Sequence, residues 1–177
     1  MSINILVIHP FDTTTTDFIT SYDLKSVELI NLKSPQKQLI RSAIKRADRI
    51  VCIGHGDPNG LYRVPFNQGY IIDSQYVQLL REKECIMIWC YASEWMKKYN
   101  IKGFGTGMFI SDMNEAVTYR VPFIKKQIDE SNHTFACALA KSIRLPINQF
   151  ANSIITDYSQ IDSPIANFNI SNFYNAD

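Results

Sequence analysis

The sequence predicts an α/β protein with a mostly parallel central sheet and helices on both faces. Three observations carry that expectation. Short apolar runs, brief enough to be buried strands, recur along the chain. Segments with apolar residues at helical spacing lie between them, and this alternation is the signature of a parallel sheet covered on both sides. The chain has 177 residues, 46% of them hydrophobic and 20% charged, so one ordinary core needs no disulfide or metal staple.

The elements follow in order. Residues 3–8 form an apolar strand that Pro10 ends. Residues 11–20 are Thr-rich and read as a loop, and 27–32 as a second strand. Ser34 and Pro35 make an N-cap followed by proline at the first helical position, opening an amphipathic helix over 35–47 on Leu39, Ile40, Ala43, Ile44 and Ala47. Residues 49–53 are a third strand, stopped by Gly54-His55-Gly56. Residues 56–69 form a long loop, with room for a small hairpin before 69–72. Asp73 and Ser74 cap a helix over 75–82, with Tyr76, Leu79 and Leu80 facing in. Residues 84–89 are a fourth strand, followed by a helix over 92–99 and a fifth strand over 103–110. Residues 114–129 look helical but contain Pro122, which breaks or kinks them. Phe135, Ala136, Leu139, Ala140 and Ile143 mark another helix, capped near Ser131. The expected domain is 1–143. Residues 144–177, rich in Asn and Ser, are set apart as an extension of unknown role.

Composition narrows the function. Eighteen basic residues against seventeen acidic ones leave a net charge of +1. Without a basic excess, nucleic acid is not an expected partner, and no apolar run approaches a membrane span of roughly 20 residues. The first residues carry no positive segment and no small-residue cleavage site, so a reducing cytoplasm is expected, with Cys52, Cys85, Cys90 and Cys137 as free thiols.

In open parallel sheets, ligands bind beyond the carboxyl ends of the strands. The reactive residues there are His9, His55 and Cys90. Neighbouring strands lie about 4.8 Å apart, so an imidazole and a thiol at adjacent strand ends can come within reach. An imidazole so placed can take the thiol proton or stabilise a thiolate. Gly54 and Gly56 would let the backbone turn sharply, and the N–H groups of Gly56 and Cys90 could serve a developing oxyanion.

The segment Ile50-Val-Cys-Ile-Gly-His-Gly-Asp57, with Gly60-Leu61 after it, resembles the His-Gly block of caspase-like cysteine peptidases, the group of caspases, metacaspases, gingipains and clostripain. The segment Cys85-Ile-Met-Ile-Trp-Cys90-Tyr-Ala-Ser93 resembles their apolar strand ending in the nucleophile. The separation is 90 − 55 = 35 residues, the same order as in caspases with a shorter insert. The resemblance covers two motifs within 1–143 and implies a caspase-like fold. It also implies His55 as general base, Cys90 as nucleophile and an oxyanion hole at Gly56 and Cys90. It implies a peptide or protein substrate and no cofactor. Asp57, Trp89 and Trp95 are candidates to touch substrate or shape its entry.

The chain departs from the family at three points. The Gln-Ala-Cys-x-Gly signature is absent, Ile88 stands where metacaspases and clostripain carry an Asp that selects basic side chains, and Ala92-Ser93-Glu94-Trp95 replaces the small residues after the Cys. These departures motivate a rival expectation, a catalytically silent binding or regulatory domain of the same fold. A flavodoxin-like binder of a nucleotide or other ligand, using the same crevice, is a third.

No metal is expected. Cys85 and Cys90 lie roughly 16 Å apart along a strand, too far to share one zinc ion. Gly103, Gly105 and Gly107 fall within a strand, where they admit a neighbouring backbone rather than a phosphate. His9 is expected as a plain strand exit and His133 as a solvated residue at a helix start.

Overall fold

The computed structural model describes residues 3–20, 27–33 and 35–176. Its centre is a six-stranded sheet. β1 (Ile5–His9), β2 (Glu28–Asn31), β3 (Arg49–Ile53), β7 (Glu84–Ile88) and β8 (Gly103–Thr106) run parallel, and β9 (Phe173–Ala176) closes one edge antiparallel, in the order β2-β1-β3-β7-β8-β9. Between β3 and β7 the chain forms a second, antiparallel sheet of β4 (Gly56–Asp57), β5 (Gly60–Tyr62) and β6 (Tyr70–Ile72), where a loop with room for one hairpin was expected. The helices are α1 (Asp17–Thr20), α2 (Lys37–Arg46), α3 (Val77–Leu80), α4 (Ala92–Tyr99), α5 (Met113–Thr118), α6 (Lys125–Ser142), α7 (Ile147–Tyr158) and α8 (Pro164–Ser171).

β1 and β3 are buried along their whole length, and β7 along all but its first residue. Strands covered on both faces gain from apolar side chains at every position. Alternate residues serve opposite layers. Ile50 and Cys52 join α2, α3, α4 and the small sheet, through Ile40, Leu80, Trp95 and Leu61. Val51 and Ile53 join α1, α6 and α7, through Phe18, Phe135 and Ile154. Each buried Ile or Val contributes about 1.5–3 kcal/mol over exposure. Gly103 has φ +120, and a Cβ there would meet the Cys85 carbonyl at 2.0 Å, so the neighbouring backbone does approach it.

Several boundaries shift for identifiable reasons. The expected cap Ser34 lies outside the described residues, and α2 begins after Gln36. The Thr-rich loop ends in the short helix α1. The predicted break near Pro122 falls between α5 and α6, and α6 then runs unbroken past Ser131. Ser131 is therefore not a cap. It is a buried mid-helix serine whose hydroxyl pairs with that of Tyr158. His133 also lies mid-helix, exposed, with Nε2 3.6 Å from Cys137 Sγ one turn on.

Residues 144–176, expected to stand apart, fold into the same core. Phe150, Ile154, Tyr158 and Ala166 are buried with the sheet and α6. Phe173 on β9 sets its ring 5.2 Å from Phe104 and 5.8 Å from Phe135. The buried Arg49 guanidinium bonds both Glu84 and the Ile143 carbonyl, tying the end of α6 to the strands beneath. Among the described residues no helix is long and apolar enough to cross a membrane.

Candidate active site

β1, β3 and β7 are neighbours, so the expected strand-end residues converge on one rim. The Gly54 N–H bonds the Ile88 carbonyl at 3.1 Å, which carries the β3–β7 pairing up to the residues just before His55 and Cys90. Gly54 has φ +152, a backbone that glycine adopts without strain, and the chain leaves β3 there towards the small sheet. After β7, Tyr91 takes the left-handed conformation with φ 67, and its N–H bonds Gly107 O. A non-glycine residue held in this way beside a reactive side chain is a common mark of functional sites.

His55 and Cys90 line one cavity with Thr15, Phe18, Phe109 and Ser111. It measures about 20 Å³, room for a single water. A far larger depression of about 720 Å³ opens at the amino ends of β3, β7 and β8, lined by charges of both signs including Asp48, Glu84 and Lys102. We place the chemistry at the small cavity because the thiol and imidazole stand there.

The His55 Nε2 lies 2.9 Å from Thr14 Oγ1 and 3.5 Å from Asp12 Oδ2. Its ring meets the half-exposed Phe66 edge-on at 5.2 Å. Beyond Phe66, Tyr62 and Tyr70 stack at 5.4 Å, giving the imidazole an aromatic flank. The Cys90 Sγ turns instead towards Phe109 O and Glu115 Oε1, each at 3.8 Å. Burial and the Glu115 charge push its thiol up to about 12. It is therefore protonated at neutral pH, and no hydrogen bond joins it to His55 among the described residues. Glu115 is itself fixed, its Oε2 accepting from the Ser111 and Asp112 N–H groups and the Ser111 hydroxyl at the start of α5.

Three expected substrate contacts have other work. Trp89 and Trp95 are 2% and 0% exposed, and their rings pack edge-to-face in the core. Trp89 also lines the cavity with His55 and Cys90, whereas Trp95 does not. Asp57 accepts from the Asn59 N–H and from the hydroxyls of Tyr62 and Tyr70. Burial opposes its ionisation, but these bonds outweigh it and hold the carboxyl below its usual range. Asp57 thus clamps the small sheet. Gly56 is required by packing, since a Cβ there would lie 2.3 Å from the Trp89 ring. The Cys90 N–H has no backbone hydrogen-bond partner among the described residues.

His9 is fully buried, with Nδ1 at 2.9 Å from Asn31 Oδ1 and Nε2 at 2.9 Å from Thr15 Oγ1. Burial lowers its pKa, and it serves as a neutral brace at the end of β1. Asp12, Thr14 and Glu115 were not singled out from the sequence. Asp12 and Thr14 follow Pro10 directly, so the strand-end rule reaches them once the Thr-rich loop is read for its side chains. Among the described residues, no group of three or more His, Cys, Asp or Glu could hold a metal ion.

Comparison with protein-family models, with curated proteins and with solved structures finds no match for this chain.

Proposed function

We propose that the chain is a caspase-like, cysteine-dependent endopeptidase, working in the cytoplasm on peptide or protein substrates with a His55/Cys90 dyad. The observation that carries this reading is the shared cavity: an imidazole and a thiol follow adjacent parallel strands and line one space at the carboxyl rim. The two sequence blocks that resemble the family supply those two residues.

The electrostatics select the form of the mechanism. A thiol at about 12 supplies almost no thiolate near pH 7, so a preformed ion pair is not the resting state. Cys90 instead gives its proton to His55 as a substrate carbonyl arrives, which is general-base catalysis. The thiolate attacks the carbonyl carbon, and the Cys90 N–H faces the developing oxyanion. The proton held on His55 then passes to the leaving amine. A space of about 20 Å³ does not admit a peptide, so the rim must widen first.

A second reading, a catalytically silent binding domain, is favoured by the turn of Cys90 towards Glu115 and by the closed rim. A library of peptides bearing an electrophile separates the two. The peptidase reading expects one adduct, on Cys90, that depends on the peptide and disappears in Cys90→Ala. Adducts confined to the exposed Cys137, whatever the peptide, would leave the silent domain as the surviving reading.

A further inference from the structure

We infer that Asp12 and Thr14 form a relay that fixes which nitrogen of His55 carries its proton, leaving Nδ1 as the base. The catalytic part of this inference rests on the peptidase reading; the tautomer itself does not.

Asp12 is 6% exposed, and its Oδ1 accepts from the Thr14 N–H at 3.0 Å and from the Thr14 hydroxyl at 2.9 Å. A hydroxyl has one proton to give. With that proton committed to Asp12, Thr14 Oγ1 can only accept in its second contact, with His55 Nε2 at 2.9 Å. Nε2 must therefore be the N–H. The other carboxylate oxygen, Asp12 Oδ2, points the same way: it is buried without a hydrogen-bond partner and sits 3.5 Å from Nε2. An unpartnered buried carboxylate oxygen is costly, and a ring N–H turned towards it lowers that cost.

In the neutral ring the lone pair is then on Nδ1, which makes no hydrogen bond among the described residues. When Cys90 gives up its proton, the S–H bond breaks and an Nδ1–H bond forms. The positive charge appears on a ring whose opposite edge faces the Asp12 carboxylate. Asp12 and Thr14 touch neither thiol nor substrate, so they are positioning residues. Thr14 matters because it transmits direction: the carboxylate oxygen behind it can only accept, so the hydroxyl spends its proton there and turns a lone pair to the ring.

Ring nitrogen NMR on the full chain tests this, with His55 assigned by the signals lost in His55→Gln. The wild type is expected to show the Nε2–H form of neutral His55 in excess by about tenfold. Thr14→Ser, which keeps the hydroxyl, retains that excess. Thr14→Val, at an exposed position, raises the Nδ1–H share several-fold, and Asp12→Asn does so further, because the Thr14 N–H keeps the amide oxygen at the Oδ1 position and the NH2 then stands where Oδ2 faced Nε2, favouring a lone pair on Nε2. If Asp12→Asn fails to fold, the two Thr14 variants decide alone. A wild-type ring protonated on Nδ1, or a distribution indifferent to Thr14→Val, overturns the relay. Peptide cleavage is a separate readout. The expected tautomer without cleavage sinks the peptidase reading and leaves the relay, whereas cleavage by a ring protonated on Nδ1 does the reverse.

Discussion

The two sides of the candidate site are built on opposite principles. On the β1–β3 side, polar groups converge: Asp12 and Thr14 hold an imidazole that is oriented but still open to the rim, and His9 braces Thr15 in the same loop. On the β7–α5 side, the thiol is enclosed by Phe109, Glu115 and the residues around Trp89, and its chemistry is suppressed. A histidine needs ordered partners to be useful, and loops after a strand supply hydroxyls and carboxylates easily. A cysteine held among hydrocarbon and beside an anion is a poor nucleophile until something changes its surroundings. On the proposed peptidase reading, the base would be prepared in advance and control would lie on the side of the thiol.

The sharpest way to break this contrast is Cys90→Ala. It should abolish peptide cleavage entirely while leaving the circular dichroism unchanged, and Cys52→Ala, in the buried core, should retain cleavage. Cleavage that survives the first change removes the nucleophile from that side. The next effect in size concerns packing. Trp89→Ala should cost about 3–5 kcal/mol in chemical denaturation, because it empties the buried space that Gly56, lacking a Cβ, leaves to the indole. A loss below 1 kcal/mol would mean that the thiol side is looser than described.

Glu115→Gln sharpens the contrast more gently. It keeps an oxygen for the start of α5 but removes the negative charge, so the Cys90 thiol should fall from about 12 by on the order of one unit. Iodoacetamide alkylation at Cys90, followed by mass spectrometry at pH 9, should quicken about tenfold. An unchanged rate would leave burial as the sole cause.

The smallest effect belongs to His9. Its folded pKa lies below the unfolded value of 6.5 because burial disfavours the charged ring. Above pH 6.5 both states are neutral and nothing is lost. Below it the unfolded chain takes up a proton that the folded one refuses, so stability declines as pH falls from 6.5 towards the folded value. Asp12 and His55 also act on this ring, the first favouring its charge and the second opposing it. The urea midpoint should drop between pH 7.5 and 5.5 in the wild type, and by less in His9→Gln. Equal drops would remove His9 from the account.

The sheet was legible because its central strands are continuous apolar runs, and β3 beside β7 follows from consecutive crossover strands, whereas β1 beside β3 with β2 outside does not. The convergence of His55 and Cys90 on one rim followed in turn. What was hidden has a common cause, since it depends on partners distant in sequence. Ser131 reads as a cap until Tyr158 is seen to satisfy it inside α6. Trp89 and Trp95 flank the thiol in the chain, but Trp89, just past β7, and the inner face of α4 carry their indoles into the core. Glu115 reaches Cys90 from 25 residues away, and no local pattern announces that contact. The role of residues 144–176 is not legible from composition, because Ser163 becomes a helix cap and Asn169 a buried hydrogen-bonder only once the segment packs on the sheet.

That last segment has a consequence for any shortened form of the chain. β9 covers the outer edge of β8, and Phe173 covers the rings of Phe104 and Phe135. A chain stopped at residue 143 would present a bare parallel edge beside an apolar floor, the two ingredients of sheet-to-sheet aggregation. The final thirty-odd residues therefore pair the β8 edge and cover its aromatic floor, both of which a shortened chain would leave bare.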